Sequence, residues 1–269
     1  MRQILIVLFL ITSAFSSSYA QDTESLPSID FQNMKRIGQE RVQDVVSPVE
    51  LLMEDGSIIR LVGIDIPTLN YDNPSALAVT ARDIMRDLLS GQRVEVYQTR
   101  DRNVGLINRM EHRLAHVKLV KDEIWAQGVL LKLGLARVKT TPYNDHMVPE
   151  MLVLEEKARE ELLGIWEDDA YQVYDAQNAE GTIGQYAVVQ GRVESVALKK
   201  NRIYINFGKN WKSDFTVSIA PEDKRAFSKA KLDPLNWGGQ ILRARGNIRD
   251  YNGPYMEISH PAAIEIIKE

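Results

Sequence analysis

Arg60-Leu61-Val62-Gly63-Ile64-Asp65-Ile66-Pro67 reads as the end of a β-strand running into a loop stopped by proline. Leu61, Val62 and Ile64 supply strand-forming bulk, and Arg60 and Asp65 are the two charges of the stretch. A carboxylate leaving a barrel strand five residues after an arginine is a candidate site for a metal ion and a phosphate. The same pair also reads as a surface ion pair beside a turn. The flanking sequence has to decide.

Before it, Asp44 to Leu52 and Ser57 to Ile66 are strand-like, with Asp55-Gly56 as a hairpin turn. After it comes a helix with Asn73 as N-cap, Pro74 at the first helical position and Gly91 as its stop. Leu77, Ala81, Ile84, Met85 and Leu88 fall on one face of that helix. Strands are expected at Arg93–Thr99 and Arg113–Val120, and helices at Ile124–Leu133 and Pro149–Leu163. Strands with inserted helices suit a small closed barrel over residues 41–170, preceded by a polar tether at 21–40. Residues 171–184 read as a linker. From 185 to 269 the order is three strands, a helix opened by Pro221-Glu222-Asp223, then two or three strands. That is the order of a five-stranded Greek-key OB barrel. The fold class is therefore mainly β with α (α+β), as two five-stranded barrels in series.

The chain has 269 residues and a net charge of −4. Its 33 Lys/Arg and 37 Asp/Glu are unevenly spread: residues 184–269 hold 14 of the former against 9 of the latter, a net +5. Only this second part offers a polyanion a favourable field. Residues 1–20 read as a signal peptide, with Arg2, the apolar run Ile4 to Ile11, and a small-x-small site at Ser18-Tyr19-Ala20. The expected location is periplasmic or secreted, with no membrane span after cleavage. There are no cysteines, so disulfides, thiolate metal sites and a cysteine nucleophile are excluded. His112, His116, His146 and His260 show no metal-ligand spacing. There is no Gly-x-Ser-x-Gly elbow and no glycine-rich phosphate loop.

Four blocks in order resemble the staphylococcal nuclease (thermonuclease) family. They are Arg60 to Pro67, Arg113-Leu-Ala-His-Val117, Ala126 to Val138, and Leu163-Gly-Ile-Trp166. The resemblance implies an OB-fold barrel with about three helices and calcium-assisted hydrolysis of phosphodiesters in DNA and RNA. Carried over residue by residue, Arg60 matches the first phosphate-binding arginine and Asp65 one calcium carboxylate. The other calcium aspartate falls at Ser47. The family's Thr-Pro-Glu, with the glutamate as general base, becomes Ile66-Pro67-Thr68. The second arginine falls at His112, and Arg113 beside it points to the opposite face of a strand. Glu50, three residues after Ser47, is expected to face away from the site, and Asp72 lies in a loop that nothing positions. The site therefore reads as degenerate, with Asp65 as an incomplete metal ligand and Ca2+ as cofactor only if the site works.

The second barrel places Tyr204, Phe207, Trp211 and Phe215 among Lys199, Lys200, Arg202, Lys209 and Lys212. Aromatics interleaved with cations are what single-strand binders use to stack bases and follow phosphates. Turns at one end of adjacent strands are expected to gather these cations. Alternation puts Tyr204 and Asn206 on one face, with Ile203, Ile205 and Phe207 on the other. The favoured reading is a non-catalytic module binding nucleic acid, another polyanion or an envelope protein. The alternatives are a calcium-dependent nuclease with rearranged ligands, and a protein-interaction subunit of an envelope complex.

Overall fold

A turn of two residues, Pro48-Val49, decides how the first barrel starts. The computed structural model describes residues 29–31, 33–67, 69–70, 72–210 and 212–268. The leader expected at 1–20, residues 21–28 of the tether, Thr68 and Trp211 lie outside the described residues. The chain divides into two compact units. One runs to Arg137 and takes in Pro149–Ala158, and the other comprises Val138–Val148 and Arg159 onward.

In the first unit, β1 (Lys35–Ser47) and β2 (Glu50–Met53) form a hairpin, followed by β3 (Ile58–Leu61) and the short β4 (Ile64–Asp65). Then come α1 (Ala76–Leu89), β5 (Arg93–Gln98), β6 (Arg113–Leu119), α2 (Ala126–Lys132), β7 (Arg137–Val138) and α3 (Val148–Glu160). The barrel is closed in the order β1-β2-β3-β6-β5. Among the described residues of this barrel, β3 and β6 run parallel and the other neighbours antiparallel. The long β1 closes the ring by serving twice: Lys35 to Arg41 pair with β5, and Val42 to Ser47 with β2. Val42, Leu51, Ile59, Val94, Ala115 and Val117 fill the interior with no exposure.

Three expectations change here. Lys35 to Glu40 belong to the barrel and not to a tether, because they pair with β5. The strand expected from Asp44 to Leu52 is broken at Pro48-Val49, where proline pre-sets the turn and Ser47 becomes the cross-strand partner of Glu50. The α1 cap also moves, from Asn73 to Ser75, whose hydroxyl accepts the Ala78 N–H at 3.2 Å. Gly63 is the residue that lets β3 bend into β4. Its φ is +82°, and a Cβ there would lie 2.7 Å from Met151 Cε.

The second unit holds β8 (Val173–Asp175), β9 (Tyr186–Arg192), β10 (Ser195–Lys199), β11 (Arg202–Asn206) and β12 (Thr216–Ile219). After α4 (Lys224–Lys229) follow β13 (Ile241–Asp250), β14 (Pro254–Glu257) and β15 (Ile264–Ile267). They form an eight-stranded sheet in the order β10-β11-β12-β14-β13-β9-β8, with β15 on β13. Eight strands replace the five expected, for two reasons. The first strand breaks into β9 and β10 at Val193-Glu194, where Val193 N donates to Gln240 O and Glu194 N to Asn206 O. In addition, β8 and β15 join the sheet. The stretch 171–184, read above as a linker, supplies β8, and its Ala176 and Ala179 sit in the core of this unit.

Candidate functional site

Glu50 is the centre of the first site. The residue is 7 % exposed. Oε2 accepts the Ser47 hydroxyl at 3.0 Å, and Oε1 accepts Arg60 Nη1 at 2.7 Å. His112 Nδ1 lies 3.6 Å from the same Oε1, too far for a hydrogen bond, and is buried without one. The elements explain the convergence. Ser47 and Glu50 pair across the turn, Glu50 pairs with Arg60 across β2 and β3, and His112 enters β6, which runs beside β3.

Glu50 was expected to face away from Ser47, as the third residue on in a regular strand would. The turn removes that rule, and the two side chains meet. Arg113 goes elsewhere: its guanidinium holds both Glu40 oxygens, at 2.7 and 2.6 Å, and Ser57 Oγ at 2.8 Å. Ser57 in turn donates to Asp55, whose carboxyl is held below the usual range chiefly by that bond. Asp65 accepts Arg137 Nε at 3.1 Å and Nη2 at 3.0 Å, and Arg137 is 9 % exposed. Asp72 is exposed.

A calcium ion needs six to eight oxygen donors, several of them carboxylate. The described residues do not fit one here. Asp65 is closed on a buried guanidinium, Glu50 on Arg60, and the Ser47 hydroxyl on Glu50. Among the described residues no three His, Asp or Glu side chains form a group that could hold a metal. Nor is Ser47–Glu50–His112 a nucleophilic triad, because the carboxylate and not the imidazole lies next to the hydroxyl.

In the second unit, Ile203, Ile205 and Phe207 are buried and Tyr204 is half-buried on the other face. Phe207 packs on Phe215 inside, with ring centres 5.1 Å apart, so two of the four candidate aromatics are core. Tyr204 lines a groove of about 440 Å³ with Lys199, Asn206, Thr216, Tyr251 and Tyr255. The parallel pairing of β12 and β14 sets Tyr255 beside Thr216. Tyr251 meets Tyr255 edge-on at 5.2 Å, and the Arg249 guanidinium lies 4.8 Å from the Tyr255 ring centre. Tyr251 and Tyr255, which flank the turn Asn252-Gly253-Pro254, are not among the aromatics expected from the sequence. Tyrosines at both ends of that turn were the available signal.

The cations do not gather as expected. Lys199 and Arg202 close the β10–β11 turn, whereas Lys209 and Lys212 lie in the β11–β12 loop beyond Asn206. Consecutive hairpin turns fall at opposite ends of their shared strand, so the charges flank the groove in two groups. Arg202 is further tied to Glu257 at 2.5 Å.

No curated protein matches the chain. The family of staphylococcal nuclease homologues does, over residues 58–168, a stretch that includes Arg60, Asp65, His112 and Arg137. Residues 58–168, which supply β3, β5 and β6 of the closed five-stranded barrel, are thus similar to staphylococcal nuclease homologues.

Proposed function

We propose that this chain is an exported, non-catalytic binding module that keeps a nuclease-type barrel without its hydrolytic constellation. The observation that carries this reading is the pairing of each retained charge within the barrel: Arg60 on Glu50, and Asp65 on Arg137. A phosphoryl-transfer site needs such groups turned toward the substrate.

The ligand is a single-stranded nucleic acid or a related polyanion, held on the Tyr204 face of the second unit. We read this unit as OB-type, and its pairing path supports that. In both units a bent first strand, or its broken equivalent β9 and β10, pairs at its two ends with different strands. Each unit also includes a parallel pair, β3 with β6 and β12 with β14, and the second has another in β8 with β9. Tyr204 and Tyr251 supply rings, and lysines at both ends of β11 supply a path for phosphates.

The test uses the mature full-length chain and a fluorescein-labelled single-stranded oligonucleotide. Anisotropy should rise at low salt and the affinity should fall as salt increases. The same oligonucleotide should stay intact in millimolar calcium. Calcium-dependent cleavage abolished by Asp65→Ala would overturn the non-catalytic reading, and no binding at low salt would overturn the ligand.

A further inference from the structure

Alternation along the β10–β11 hairpin sends Lys199 and Tyr204 to one face and Leu198 and Ile203 to the other. On that second face Leu198 and Ile203 line a groove of about 430 Å³, together with Phe227, Leu232 and the one-turn 3-10 helix Pro234–Asn236. Its base is firm: Phe227 is fully buried and meets Trp237 edge-on at 6.2 Å. Its rims are open, with Leu198 51 % and Leu235 48 % exposed. Among the described residues β10 ends its pairing path, so no further strand covers Leu198. Exposed leucines around an apolar trough mark a surface made to be covered.

The charges around it say by what. Lys224 and Lys231 line the groove, and Lys224 Nζ donates to a neutral acceptor, Asn201 Oδ1. The acid in the lining, Asp233, is already committed. Its Oδ1 accepts Leu235 N at 3.2 Å and its Oδ2 accepts Asn236 Nδ2 at 2.7 Å. We propose that this groove docks an acidic, apolar peptide segment of a partner protein. Bulky apolar side chains enter beside Leu198 and Leu235, and carboxylates meet Lys224 and Lys231. A concave trough takes side chains better than the flat surface of a bilayer. The proposal is independent of the polyanion face, which uses the alternate residues of the same hairpin.

The test titrates the mature full-length chain into a fluorescein-labelled peptide, Asp-Glu-Leu-Phe-Asp-Asp-Leu-Leu-Glu, and into a twin with lysine at every acidic position. The acidic peptide should bind and the lysine twin should not. Leu198→Ser with Leu235→Ser should weaken binding at least about tenfold, since two apolar contacts are lost. Both leucines are half exposed, so these variants should melt with wild type. Lys224→Glu with Lys231→Glu should reverse the preference toward the lysine twin, and Tyr204→Ala should leave it unchanged. Equal binding of both peptides, no binding of either, or binding indifferent to the leucine changes would overturn the proposal. So would phosphatidylserine vesicles binding through Leu198 and Leu235 in the peptide's place.

Discussion

Ser47 and Glu50 face each other across the Pro48-Val49 turn, the serine hydroxyl donating to the carboxylate at 3.0 Å. Placing an aspartate at position 47 would therefore set two carboxylates against one another in a buried place. Like charges at that distance resist being ionised together. Ser47→Asp should cost about 1–3 kcal/mol of stability, the range for a buried polar group left badly partnered. Adding Glu50→Gln should recover most of it. Urea unfolding of the four proteins of this cycle checks the claim, and equal losses with and without Glu50 would show no coupling.

Asp65 holds a guanidinium that is almost wholly buried. Breaking such a pair from one side leaves an uncompensated charge, which costs about 3–5 kcal/mol when both partners are buried. Asp65 is 25 % exposed on its side chain, so Asp65→Asn should cost less, about 2 kcal/mol. The urea midpoint should drop while oligonucleotide affinity holds. An unchanged midpoint would remove Asp65 from its structural role.

Acid should find the first barrel through Glu95. The Tyr97 hydroxyl donates to it at 2.6 Å, Arg36 at 2.7 Å, and Lys118 lies 3.3 Å away. These hold its carboxyl down from 4.5 to about 2, the tyrosine bond contributing most. Because the folded value is the lower one, the stabilisation is complete above pH 4.5 and fades as pH falls toward about 2. The shift amounts to at most about 3 kcal/mol. Glu95→Gln should flatten the acid limb of the stability curve in that window, and an unaltered limb would exclude Glu95 as its source.

How much of this was legible before the structure depends on how local the cause was. The strand–loop–helix run from Arg60 to Gly91 could be read because turn residues act within a few positions, although the bend at Gly63 and the cap at Ser75 were not. The Pro48-Val49 turn could not. An apolar-rich run on both sides of it has the period of one strand, and the pairing of β1 with β2 decides otherwise. Asp65 was visible as a charge, but its partner Arg137 lies 72 residues away. Tyr255 likewise reaches the Tyr204 groove only through the parallel pairing of β12 and β14.

Tyr204 and Phe207 make the sharpest contrast in the second unit. Tyr204 lines the outer groove and Phe207 packs on Phe215 within, three residues apart on one segment. Tyr204→Ala should weaken oligonucleotide binding by about 1–3 kcal/mol, the cost of losing one stacked ring. It should leave the thermal midpoint nearly unchanged. Phe207→Ala should do the reverse, destabilising the unit by about 3–5 kcal/mol through the cavity it opens. Lys209→Gln with Lys212→Gln should act at the other end of the groove from Lys199→Gln. Each should reduce the salt dependence of binding without touching stability, since each removes a candidate phosphate contact. Anisotropy titrations at two salt concentrations, run beside thermal melts, separate these outcomes. If Tyr204→Ala binds as wild type while the lysine variants lose affinity, the anion is held by charge alone and the groove is not a base-stacking site.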